Sequence, residues 1–123
     1  MDSRKRWQFP TVLGLILLFV CVLSTGLILF AVCQRNATFY YIKGVSYHMG
    51  GRLDYAIANY SEAIEKNPNY AQAYYSRGGA CYSMGEMELA AQDYEKYLEL
   101  VPNAQNRAAV EKTIEEIKSK LTP

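Results

Sequence analysis

The pattern of apolar and polar positions changes once along the chain. From Thr11 to Cys33 the run TVLGLILLFVCVLSTGLILFAVC holds no charged residue. A helix with no polar face at any phase avoids water, and this one reaches roughly 34 Å at 1.5 Å per residue, enough for a bilayer core. The run predicts one transmembrane helix over 11–33. Beyond a short linker at 34–36, apolar positions recur at helical spacing with charges between them, which predicts amphipathic helices. Glycines at Gly50, Gly51 and Gly85 and prolines at Pro68 and Pro102 punctuate them.

The second part of the chain repeats itself. An offset of 34 joins Tyr40 to Tyr74, Tyr41 to Tyr75, Gly44 to Gly78, Gly51 to Gly85, Ala56 to Ala90, Tyr60 to Tyr94 and Pro68 to Pro102. Ala37/Ala71, Glu65/Glu99 and Asn69/Asn103 bring the identities between 37–70 and 71–104 to ten. Each copy predicts a helical hairpin: an aromatic-rich helix, a glycine turn, then a second helix stopped before proline. Gly44, Ala56, Gly78 and Ala90 are small where two helices cross closely, leaving room for the rings of Tyr60 and Tyr94. After Asn103, Val110, Ile114, Ile117 and Leu121 form one apolar stripe among charges, the pattern of a capping helix over 105–123.

Charge narrows the choice of partner. Arg4, Lys5 and Arg6 oppose Asp2 before the apolar run, whereas ten Lys/Arg meet eleven Asp/Glu after it. No basic field is available to hold nucleic acid. The basic flank at 1–10, with Trp7 at its edge, predicts a cytoplasmic N-terminus and an extracytoplasmic C-terminal domain. An uncleaved anchor is favoured over a secretory signal, because the apolar run is too long and Leu29-Phe30-Ala31 offers one small residue where a cut needs more. Cys21, Cys33 and Cys81 show neither disulfide nor zinc spacing, and Val32 makes Cys33 a poor lipidation site. Asn36-Ala37-Thr38 and Asn59-Tyr60-Ser61 match the glycosylation triplet, which is common by chance.

The stretch 37–104 resembles the tetratricopeptide repeat family. The resemblance rests on Tyr40…Gly44 and Tyr74…Gly78, on Tyr47, on Ala56…Tyr60 and Ala90…Tyr94, and on the closing Pro68 and Pro102. Cys81 departs from the pattern where an aromatic is expected, and Tyr97 stands where Ala63 supplies a small residue in the first copy. The resemblance implies an all-α solenoid of two hairpins plus a cap, attached here to a transmembrane helix. It also implies a concave groove lined by the first helix of each repeat, which on this chain presents Tyr41, Val45, His48, Tyr75, Gly79 and Tyr82, with Ala109 and Thr113 beyond.

Such a groove is aromatic and nearly uncharged, so it suits a hydrophobic or helical peptide. Family members that clamp the terminal carboxylate of heat-shock chaperones use Lys, Asn and Arg. Tyr41, Val45 and Ser76 occupy the corresponding places here, which argues against carboxylate capture. His48 has no nucleophile or carboxylate at a suggestive spacing, so no catalytic, cofactor or metal site is expected. Met49, Met84 and Met87 read as filler around the hairpin turns, and Glu62, Glu65, Glu95 and Glu99 as a solvated outer face. The expected function is a membrane-anchored adaptor for a protein or peptide. The alternatives are a self-associating structural protein and a protein-import receptor with the domain in the cytosol.

Overall fold

The computed structural model describes residues 8–122, which form five α-helices: α1 (Gln8–Met49), α2 (Leu53–Lys66), α3 (Ala71–Met84), α4 (Met87–Leu100) and α5 (Arg107–Leu121). The basic residues Arg4 to Arg6 and Trp7 lie outside the described residues, as does the side chain of Cys33. The chain divides into two compact units, 1–33 and 34–123. The expected linker at 34–36 is helical. Gln34, Arg35 and Asn36 change the polarity of the chain, but with neither glycine nor proline among them nothing interrupts the backbone hydrogen bonds.

In the first unit, Val12–Leu29 has a mean hydropathy of 2.8 and none of it is buried by protein. It is long and apolar enough to cross a membrane, by length and composition. Its polar side chains turn inward: the hydroxyls of Ser24 and Thr25 each donate to the Cys21 carbonyl at 2.9 Å. That pairing hides two donors that would otherwise be costly in an apolar medium.

The second unit is built as two helical hairpins and a cap. Gly51 (φ 73°) and Gly85 (φ 85°) take the left-handed conformation that closes each hairpin at no Cβ penalty. At the first turn the Arg52 amide donates to the Tyr47 carbonyl at 2.9 Å, and at the second the Glu86 amide donates to Cys81 at 2.9 Å. Helices α2 and α4 stop where expected. Asn67 and Val101 precede proline and leave the helical region, with φ −142° and −128°.

Packing follows from small residues set against rings. Ala56, Ala63, Ala73, Ala80 and Ala90 are fully buried, which lets backbones approach. A Cβ built on Gly44 would lie 2.7 Å from the Tyr60 ring, and one on Gly78 would lie 3.2 Å from the Tyr94 ring. The same ring-on-glycine wedge therefore occurs in each repeat. Tyr97, the large residue where the first repeat has Ala63, is buried and donates to Asn106 Oδ1 at 2.9 Å, which fastens α4 to the start of α5. Val110, Ile114 and Ile117 of α5 complete the core, each contributing about 1.5–3 kcal/mol by leaving water. Leu121, read as the last member of that stripe, is 40% exposed at the helix end.

One polar network crosses three helices. Arg77 of α3 donates from Nε and Nη2 to the Asp93 carboxylate of α4 at 2.8 and 2.7 Å, and from Nη1 to Ser61 Oγ of α2 at 2.9 Å. Asp93 is 2% exposed. A buried charge persists only when its partner satisfies it, and here the fork of one arginine does so. The bond to Asp93 raises the Arg77 pKa, an effect larger than the opposing one of burial.

Candidate interaction face

The six residues expected in the groove are all partly buried, and the structure gathers five of them, all but Tyr82, around two tyrosines of the second helices. In the first repeat, Val45 packs on the cluster of Ala56, Tyr60 and Ala80. Tyr41 lies against Tyr60, with ring centroids 5.8 Å apart, and against Tyr70 at 5.2 Å. The Tyr60 hydroxyl stands 3.4 Å from His48 Nδ1. In the second repeat, Tyr75 contacts the rings of Tyr94 and Tyr97, at 5.8 and 5.0 Å. Gly79 leaves space above Tyr94, because a Cβ there would still be 3.6 Å from its hydroxyl.

These stations meet between α1 and α3, where the Tyr41 hydroxyl is 3.4 Å from Ser76 Oγ. Beyond Tyr75 a small cavity of about 70 Å³ opens between α3, α4 and α5, lined by Tyr75, Tyr94, Ala109, Val110 and Thr113. Tyr82 departs from the pattern: Lys120 Nζ sits 5.6 Å from its ring centroid, so that end of α3 carries a cation that the groove residues do not supply.

The face is electrically quiet. Burial is the first cause that pushes Tyr60 up to about 12, with the neighbouring Tyr41 second, and burial likewise pushes Tyr94 to about 12. Both hydroxyls stay protonated at neutral pH and can donate or accept. Cys81 is wholly buried and its thiol rises to about 11, again through burial first, which makes it an inert small hydrophobe. Among the described residues no cluster of His, Cys, Asp or Glu could hold a metal.

One expectation about a side chain changes, and one reading as a chance match gains a physical reason. Met49 is not filler at its turn but 85% exposed. Asn59 is 9% exposed and its amide donates to the Tyr55 carbonyl at 2.7 Å, so the second glycosylation triplet is packed away. The sequence reading missed Tyr70 and Val110 as neighbours of the face. The helical phase of Val110 was visible, but its contact depends on how the hairpins cross, and Tyr70 lies in the turn before α3, where no periodicity points to it.

Comparison with known proteins fits this geometry. A family model described as TPR repeat matches residues 44–85, and one described as tetratricopeptide repeat matches 71–104. No curated protein matches the sequence. Among solved structures, the first TPR of Spaghetti (RPAP3) bound to the HSP90 peptide SRMEEVD is similar at TM-score 0.64 and 26% identity, covering 72% of this chain and 68% of that one. The crystal structure of MamA protein is similar at TM-score 0.56 and 28% identity, over 71% of this chain and 57% of that one. The fold is that of a helical solenoid built from repeated hairpins. The chain carries tetratricopeptide repeats across 44–104.

Proposed function

We propose that this protein is a membrane-anchored adaptor whose repeat domain holds an apolar or helical segment of another protein against the tyrosine-lined face. The observation that carries the reading is the convergence of Tyr41, Val45 and His48 on Tyr60, and of Tyr75 and Gly79 on Tyr94, with no charged side chain in either group. Aromatic rings supply contact area at low rotamer cost, which is where binding energy concentrates. A solved relative in fold holds a peptide, which supports a peptide ligand here. That peptide ends in acidic residues, whereas Tyr41, Val45 and Ser76 offer no cation to a carboxylate. The ligand class is therefore apolar, and binding rather than turnover is the role.

The anchor rests on Val12–Leu29, and the basic residues before it favour a cytoplasmic N-terminus with the domain on the far side. Retention in the membrane pellet after alkaline extraction tests the anchor; protease protection of the C-terminus in intact cells tests the side. A photo-crosslinking probe at Tyr75 or Tyr41 of the full-length protein, with Glu62 as an outer-face control, tests the ligand. One protein captured from both tyrosine positions and not from Glu62 is the expected result. Equal capture from all three would sink the reading.

A further inference from the structure

The two ends of the repeat stack are finished differently. At the far end α5 covers the second repeat. At the near end Phe39, Ile42 and Met49 of α1 are 62%, 58% and 85% exposed. Their spacing of three and seven places them on one stripe of the helix. Ser46 lies between them and turns its hydroxyl back onto the Ile42 carbonyl at 3.1 Å, so the stripe shows no unmet donor. Lys43 flanks it, exposed, with the Tyr47 ring at 6.0 Å and no carboxylate partner among the described residues. Arg52 follows on the turn, exposed and stacked over Tyr55. The near end is thus an apolar ridge edged by cations.

The far end carries its counterpart. A cleft of about 510 Å³ runs between α4 and α5, with Leu98 and Ile114 at its floor and Glu95, Glu99, Glu111 and Glu115 in its walls. Its two cations are already taken: Lys118 is 2.6 Å from Glu95, and Arg107 is 2.8 Å from Glu111. Glu115 has no partner among the described residues, and Glu99 meets only Lys96. The volume falls within the range of clefts that hold ligands, about 300–1,000 Å³. A groove between two neighbouring helices also receives the side-chain ridge of a third.

The structure assigns these surfaces to each other: the α1 stripe of one copy seats in the α4–α5 cleft of a second copy, and chains associate head to tail. The cleft calls for an apolar ridge with positive edges, and this chain supplies an uncovered one. Pairing α1 with α1 instead would set Lys43 near Lys43 and leave the carboxylates of the cleft unanswered. The contact uses different ends of the molecule, so it does not close after two copies. It forms where copies are concentrated, as in a membrane plane. Neither surface includes Tyr41 or Tyr75, so the assignment stands or falls apart from the adaptor reading.

A benzoylphenylalanine probe at position Ile42 of the full-length protein, in the membranes of expressing cells, reads the contact directly. The expected products are a ladder of dimers, trimers and larger species, with the crosslink mapping to residues 87–121 of the second copy. Glu99→Lys with Glu115→Lys lowers the yield about tenfold, and adding Lys43→Glu restores most of it, as a charge swap should at a complementary interface. Crosslinks that map to α1 of the second copy, or to another protein alone, overturn the assignment. So does a yield that charge reversal leaves unchanged, or a loss that the swap fails to rescue.

Discussion

At the scale of single residues, the molecule is governed by what lies against two glycines and one arginine. Gly44→Ala would drive a methyl to within 2.7 Å of a Tyr60 ring that is 1% exposed. Overpacking of this kind costs about 1–3 kcal/mol and outweighs a helix-propensity gain of about 1 kcal/mol. Gly78→Ala meets its neighbours at 3.2–3.3 Å and is milder. Chemical denaturation of the two variants should rank them in that order. Arg77→Met leaves Asp93 as an unpaired charge with its side chain 3% exposed. A loss of about 3–5 kcal/mol is expected, with much of it recovered when Asp93→Leu is added. The raised pKa values of Tyr60 and Tyr94 mean that the folded chain holds their protons more tightly than the unfolded chain does. Their contribution is complete below the ordinary tyrosine pKa near 10 and is lost as pH climbs toward about 12. The denaturation midpoint should therefore fall across that window, and less steeply in Tyr60→Phe.

At the scale of elements, the period of 34 was legible because the residues that carry it do so by shape. Glycine, alanine, tyrosine and proline recur where a turn, a close crossing, a wedge and a stop are each required, and the helices begin and end accordingly. Continuity through 34–36 was not legible, since a change of polarity resembles a boundary while leaving backbone hydrogen bonding untouched. The Arg77–Asp93 pair was hidden for another reason: the two residues lie 16 apart on different helices, and only the crossing of α3 and α4 makes them partners. The candidate face was legible through its first-helix residues, whereas Tyr60 and Tyr94 join it from helices assigned to packing and Tyr70 from the turn before α3. An element-level test follows from the Tyr97 hydroxyl, which holds Asn106 ahead of α5. Tyr97→Phe keeps the ring in the core and removes only that bond. It should loosen the cap by about 0.5–1.5 kcal/mol, seen as amide exchange in 107–121 that is faster than in the unaltered chain while exchange in α3 is unchanged.

At the scale of the whole molecule, the repeat unit of 34–123 is held by neighbours along a line: α2 against α3, α3 against α4, α4 against α5. Stability in such an array is a sum over adjacent contacts, with no distant part of the fold to compensate for a lost end. The central pair α3 and α4 has a packed helix on either side, whereas the cap has one. Put in terms of time, the domain should open from its ends. Amides of α5 should exchange first, and those of α3 around Gly78 and Cys81 should wait for the opening of the entire stack. A ligand laid across Tyr41 and Tyr75 would touch both repeats at once. Its binding would then be recorded as slower opening at the ends, far from any residue it contacts.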